Sequence, residues 1–264
     1  MEKRKLINAV NIRKSFKDVY ALRGVDLSVY AGEFVAILGP NGAGKTTLVE
    51  IIEGIQTPDS GDVVFTSEEQ GKFEEMRWNT HATPIYKMMG LSLQETHFFE
   101  RINVEETLWL FASFYEGVTE ERILDLLKKV GLLEKRKAWT MHLSGGQRQK
   151  LALAVALLHS PKIILLDEPT TGLDPHARRE IWELLFKMKN ENNSALILTT
   201  HYMEEAQVLC DRIVIIDQGK ILEQGTLEQL LKNHNKSNLD ELFVALTGRR
   251  LDDESFSKAH SNSI

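Results

Sequence analysis

Two stretches of this 264-residue chain combine glycine, serine and lysine at spacings suited to holding phosphate. The first is Gly39-Pro40-Asn41-Gly42-Ala43-Gly44-Lys45-Thr46-Thr47, which fits the pattern G-x-x-x-x-G-K-[ST]. Its glycines let the backbone bend so that N–H groups face inward, forming a nest for anionic oxygens. A helix opening after them adds the partial positive charge of its N terminus. Lys45 is then suited to the β- and γ-phosphates of a nucleotide, and the Thr46 hydroxyl to Mg²⁺. The second stretch is Leu143-Ser144-Gly145-Gly146-Gln147. Ser144 is a candidate N-cap, and Gly145 and Gly146 bare backbone N–H groups to a phosphate. Each stretch alone also has a plainer reading, as a strand-to-helix turn and as an ordinary helix cap. Glycine costs about 1 kcal/mol within a helix, however, so the pair after Ser144 needs a reason. Together the two stretches imply ATP hydrolysis with the nucleotide held from two sides.

Hydrolysis needs a metal ligand and a base. The apolar run Ile163-Ile164-Leu165-Leu166 reads as a buried strand and ends in Asp167-Glu168, where parallel sheets bind ligands. Asp167 is suited to hold Mg²⁺ through its water shell, and Glu168 to polarise the attacking water. Alternatively the pair caps the next element. His201 emerges after the apolar run Leu196 to Thr200, although a lone histidine is more often a surface or satisfied residue. The other histidines (His81, His97, His142, His159, His176, His234, His260) show no paired metal spacing, so no zinc site is expected. Asp174, just before Pro175, is a candidate cap for the following helix.

The elements that must position these groups follow from the apolar pattern. Phe34 to Leu38 reads as a strand, and Leu48, Ile51 and Ile52 fall at helical spacing behind the first loop. Short strands are expected up to about Phe65, and the polar stretch Thr66 to Thr83 reads as a loop insertion or, alternatively, as a segment whose Trp78 anchors to a partner. Residues from about Thr96 to Thr140 read as helical. Asn103 caps a helix from Val104 with Glu106 at the capping-box position, and Thr119 caps another that Gly131 ends. After Ser144 helix and strand alternate, as a mostly parallel sheet requires. Val214-Ile215-Ile216 and Lys220 to Glu223 flank Asp217-Gln218-Gly219 as a hairpin.

In order along the chain these motifs resemble those of the ATP-binding cassette (ABC) ATPases, up to about Gly225. Walker A corresponds to Gly39–Thr47, the Q-loop glutamine to Gln94, the signature to Leu143–Gln147 and Walker B to Ile163–Glu168. Thr171-Gly172-Leu173-Asp174 resembles the D-loop, and His201 the switch histidine. The resemblance implies an α/β fold: a P-loop NTPase core with a mostly parallel sheet, an N-terminal antiparallel β part and an inserted helical subdomain. It implies an ATPase domain over 1–233, with the helical subdomain at about 96–160, and a C-terminal extension over 234–264. The end of that extension, from Asp252, is polar and expected to be disordered.

The implied cofactors are ATP and Mg²⁺, the metal held by Thr46, Asp167 and Gln94. Lys45, Glu168, His201 and Gln94 are the implied catalytic set. Phe16 is the implied adenine stacker with Tyr20 in reserve, though either could be a core residue. Two chains would pack head to tail, so that Ser144, Gly145, Gly146, Gln147 and Asp174 of one copy complete the nucleotide site of the other. Leu239 to Arg249, together with Leu93-Gln94-Glu95-Thr96 and Phe111 to Tyr115, resembles the ABC-2-type exporter group. The implied partners are therefore a separate membrane permease and a second copy of the chain, at the cytoplasmic face of a membrane. Two alternatives stay open: an importer ATPase, or a non-transport ABC ATPase acting on nucleic acid or ribosomes. A net charge of −6 argues against a nucleic-acid partner. The single cysteine, Cys210, fits a reducing compartment, and no signal-peptide pattern follows Met1. No apolar stretch approaches the ~20 residues a spanning helix needs.

Overall fold

The computed structural model describes residues 4–69, 71–92, 97–191 and 193–251, which divide into two compact units. One comprises 1–75 and 197–264, the other 76–196. The first unit opens with two twelve-residue strands, β1 (Lys5–Phe16) and β2 (Val19–Tyr30), paired antiparallel. These are longer than the short strands the apolar pattern suggests. Register shifts along β1 and β2 carry the pair through its polar positions, with Asn11 (φ 48°) and Gly24 (φ 94°) in the left-handed region. Strand β3 (Phe34–Leu38) is buried along its whole length and leads into α1 (Lys45–Ile52). Strands β4 (Ser60–Glu69) and β5 (Lys72–Met76) complete a four-stranded sheet in the order β2-β1-β4-β5.

The expected loop at 66–83 is therefore largely structured. Gly71 turns β4 into β5 at φ 76°, and α2 (Trp78–Met88) follows, with the rings of Trp78 and Tyr86 4.8 Å apart. Its charge hid it: of Lys72 to Met76 only Met76 is buried, so β5 shows no apolar alternation.

The second unit continues with β6 (Met89–Ser92), α3 (Val104–Ala112), α4 (Glu120–Lys129) and α5 (Gly145–Leu157). The local caps explain where these helices start. Asn103 accepts from the Glu106 N–H while the Glu106 carboxylate accepts from the Asn103 N–H, and Thr119 accepts from the Arg122 N–H. Strand β6 runs parallel to β7 (Ile163–Asp167), and Gly90 allows close packing on α5: a Cβ there would lie 2.0 Å from the Ala156 carbonyl oxygen. Helix α6 (Pro175–Glu191) and the start of β8 (Ala195–Thr200) close the unit, and β8 crosses into the first.

The first unit resumes with α7 (Met203–Leu209) and the hairpin of β9 (Arg212–Asp217) and β10 (Lys220–Gly225). Strand β9 is parallel to β3 and antiparallel to β10. Helices α8 (Leu227–His234) and α9 (Leu239–Thr247) follow. Leu230, Leu239, Leu242 and Phe243 are buried with Ala36 and Leu38 of β3 and Ile213 and Ile215 of β9 in one apolar cluster. The described part of the C-terminal extension is thus built into the core that carries the glycine loop. The end from Asp252, expected to be disordered, lies outside the described residues. The whole is an α/β P-loop NTPase fold with an antiparallel N-terminal sheet.

Candidate active site

The glycine loop joins β3 to α1, as the motif requires. Gly42 (φ 78°) and Gly44 (φ 104°) adopt the left-handed conformation. The neighbours of Gly39 and Gly44 exclude larger residues: a Cβ on Gly39 would lie 2.3 Å from the Ile216 carbonyl oxygen, and one on Gly44 2.5 Å from that of Ala21. Lys45 is buried, and its ammonium donates to the carbonyls of Gly39 (2.9 Å) and Pro40 (3.1 Å), so the side chain folds over the loop it would serve. The first turn of α1 carries no acidic residue of its own, so the helix does not itself offset its positive end. A backbone nest, a lysine folded over it and a helix N terminus fit a nucleotide's phosphates.

Phe16, at the end of β1, is 43% exposed, with the Lys14 ammonium 5.4 Å from its ring centre. Tyr20 is more exposed still, beside Arg23. Neither is a core residue, and each ring is exposed with a cation over one face.

In the second unit β7 ends at Asp167, which is buried, and Glu168 follows at only 8% exposure. Glu168 has φ 47°, an uncommon conformation for a side-chain-bearing residue, and such strain concentrates at functional sites. Thr171 holds it from two directions. Its hydroxyl donates to the Glu168 carboxylate at 3.0 Å, and its N–H to the Glu168 carbonyl at 3.2 Å. The carboxylate is therefore fixed before any substrate arrives. Thr171 was legible only as part of the D-loop-like stretch, not as the partner of Glu168.

The signature stretch opens α5 as expected. Ser144 accepts from the Gln147 N–H (3.2 Å), and the Gln147 side-chain oxygen accepts from the Ser144 N–H (3.1 Å), a complete capping box. The first turn holds no acidic residue. Gly145 has ordinary space around it, but a Cβ on Gly146 would lie 2.9 Å from the Ala177 Cβ in α6. Nothing in the sequence singled out Ala177. Asp174 caps α6, accepting from the N–H groups of His176 (2.9 Å) and Ala177 (3.0 Å). Those bonds, Ala177's foremost, hold its carboxyl below the usual carboxylate range.

His201 directly follows β8, its ring 4.1 Å from that of Tyr202, while the Thr200 hydroxyl accepts from the Tyr202 N–H and fixes the turn into α7. Gln94 lies outside the described residues. Thr46 lies in the first turn of α1 in the first unit, and Asp167 ends β7 in the second. Among the described residues no group of three or more His, Cys, Asp or Glu forms a metal cluster.

A strand, a glycine loop with its lysine, and a second strand ending in paired carboxylates define a P-loop nucleotide hydrolase. The family profile described as ABC transporter matches residues 22–171. The Nod factor export ATP-binding protein I of Rhizobium sp. (strain N33) is 35% identical over 240 residues, covering 90% of this chain and 76% of that protein. The linearmycin resistance ATP-binding protein of Bacillus subtilis (strain 168) is 33% identical, covering 91% of this chain and 75% of that protein. Among solved structures, the ATP-binding subunit of an ABC transporter superposes with a TM-score of 0.79 at 28% identity, over 92% of this chain and 99% of the other. A dimeric ATP-binding cassette in a post-hydrolysis state, bound to ADP and Pi, gives 0.71 at 28% identity, over 84% and 99%. The chain belongs to the ABC transporter family and is an ATPase subunit of it.

Proposed function

We propose that this chain is the ATP-hydrolysing subunit of an exporter, docked on a separate permease at the cytoplasmic face of a membrane and paired head to tail with a second copy of itself. Export is supported by the likeness to the Rhizobium Nod factor export ATP-binding protein, and pairing by the dimeric cassette that the fold matches. Among the described residues no helix is long and apolar enough to cross a membrane, and the proposal assigns the pathway to the permease.

One surface feature carries the docking part. Phe99, Ile102 and Leu110 line a groove on the second unit together with Glu100 and Arg101, and Phe99 is exposed there. An exposed aromatic ring in a largely apolar groove suits a protein-binding surface.

Each residue's part in hydrolysis follows from its chemistry. Lys45 and the loop N–H groups bind the β- and γ-phosphates, while Phe16 stacks on adenine. Thr46, Asp167 and Gln94 hold Mg²⁺, which when bound offsets charge on the phosphate oxygens. Glu168, held by Thr171, accepts a proton from the water that attacks in line, and His201 orients that water. Ser144 and the paired glycines of one copy, with Asp174 beside them, close over the nucleotide held by the other.

The experiment is purification of the tagged chain from membranes, followed by ATP-driven efflux in vesicles carrying the co-purified permease. Phe99→Asp is expected to lose the permease while the free chain still binds ATP. Permease capture unchanged in that variant, or ATP-driven uptake in place of efflux, contradicts the proposal.

A further inference from the structure

The turn between β9 and β10 backs the glycine loop at two points. Gly39 packs so closely on Ile216 that no Cβ fits between them, and the Gly219 N–H donates to the Ala43 carbonyl at 2.9 Å. The peptide group is planar and trans, so a carbonyl held in one direction holds the N–H of the same group in the other. Fixing the Ala43 carbonyl outward therefore fixes the Gly44 N–H, one of the donors of the nest. The turn itself is tightly specified. Gln218 (φ 48°) and Gly219 (φ 75°) are both left-handed, as a two-residue hairpin turn requires. The Gly219 carbonyl accepts from the Arg23 N–H at 2.8 Å, and a Cβ on Gly219 would lie 2.6 Å from the Ala21 carbonyl oxygen.

Asp217 sits between these two contacts, and its carboxylate is buried. It accepts from the Arg249 guanidinium at 2.7 Å. Arg249 comes from the far end of the chain and is delivered by an ordered helix terminus. Gly248 ends α9 in the left-handed conformation, its N–H donating to the Val244 carbonyl at 2.8 Å. The Thr247 hydroxyl accepts from the Arg249 N–H and donates to the Phe243 carbonyl at 2.8 Å. Phe243 and Leu242 belong to the same buried apolar cluster as Leu38, the residue immediately before the glycine loop. The C-terminal helix thus reaches the loop by an apolar cluster shared with β3 and by an ion pair to the turn behind it.

We propose that Arg249 is a positioning residue for nucleotide binding: through Asp217 it holds the β9–β10 turn where Gly219 and Ile216 brace the glycine loop. The C-terminal helix pair thereby sets the affinity for the nucleotide's phosphates. This rests on the reading of the loop as the nucleotide site.

The test is equilibrium binding of a fluorescent ATP analogue to the full-length chain, with ATPase kinetics and thermal melting alongside. Arg249→Ala and Asp217→Asn are each expected to raise the dissociation constant and KM for ATP roughly fivefold, the low end of coupling between sites, with kcat unchanged. Arg249→Lys, which keeps the charge, recovers most of the affinity. The double variant is no worse than either single one, because both break the same link. If Arg249→Ala fails to fold, Arg249→Gln keeps the stem and carries the same expectation. An unchanged dissociation constant in a folded Arg249 variant, even with a lowered melting temperature, overturns the proposal by leaving the pair only a stabilising role. Lys45→Ala separates the two levels: wild-type affinity in that variant removes the nucleotide site itself, whatever Arg249 does.

Discussion

Gly146 separates two roles that a signature glycine can have, because its neighbourhood differs from that of Gly145. Replacing Gly146 by alanine places a Cβ 2.9 Å from the Ala177 Cβ. Ordinary carbon–carbon contact is roughly 3.5–4.0 Å, so α5 and α6 must part by about 0.6–1 Å. Such overpacking costs ~1–3 kcal/mol, against a gain of up to ~1 kcal/mol from replacing glycine within a helix. Stability therefore falls by at most ~3 kcal/mol, and the variant stays folded. Hydrolysis is more sensitive, since a displacement of about 1 Å in groups that grip a substrate costs on the order of a hundredfold in rate. Gly146→Ala is expected to lose ten- to a hundredfold of ATPase activity by this estimate. Adding Ala177→Gly removes the clash and cancels the propensity gain, so the double variant returns to near wild-type rate and melting temperature. Gly145→Ala meets only Leu173 Cδ2, at 3.6 Å, and leaves folding intact. The assay is steady-state phosphate release from all four proteins, paired with thermal melting. A double variant as inactive as Gly146→Ala would refute the packing argument and leave Gly146 acting at the phosphate directly.

Glu168→Gln is expected to bind ATP as tightly as wild type while hydrolysis falls ~10²–10⁴-fold, the usual contribution of a positioned base; binding and phosphate release measured together decide it. Thr171→Val removes the hydroxyl that holds this carboxylate, and kcat is expected to fall with KM unchanged; an unchanged kcat would show that the strained backbone alone positions Glu168. Phe243→Ala is expected to cost ~3–5 kcal/mol of stability, read by denaturant unfolding, because the side chain is fully buried on β3 and β9. His159 gives a pH signature: its ring stacks on Tyr115 at 3.9 Å, and burial foremost, with Arg122 as a lesser cause, holds its pKa below the ordinary 6.5. The unfolded chain then takes up the proton first, so stability is full above pH 6.5 and declines as pH falls from there through the lowered value. His159→Phe flattens that decline in melting curves taken between about pH 5 and 8.

What the sequence made legible was local. The loop from Gly39 to Thr47 could be placed because its function demands a strand before it and a helix after it, and β3 and α1 stand there. The caps at Asn103, Thr119, Ser144 and Asp174 were readable because their partners lie two or three residues away. Interactions between distant residues left no such mark. The approach of Gly146 to Ala177 depends on how two helices cross, and the Arg249–Asp217 pair spans 32 residues. The left-handed backbone of Glu168 was equally hidden, because glutamate carries no local preference for it. At β5 the apolar pattern misled, since an exposed strand has no face to bury and reads as a polar loop.

Dependence of ATPase rate on protein concentration, for wild type and Ser144→Arg, is the most direct test of two copies completing each other's sites. A rate per chain that rises with concentration in the wild type and collapses in the variant is expected. A rate independent of concentration that survives the variant would mean a self-contained site, and would contradict the head-to-tail pairing proposed for this chain.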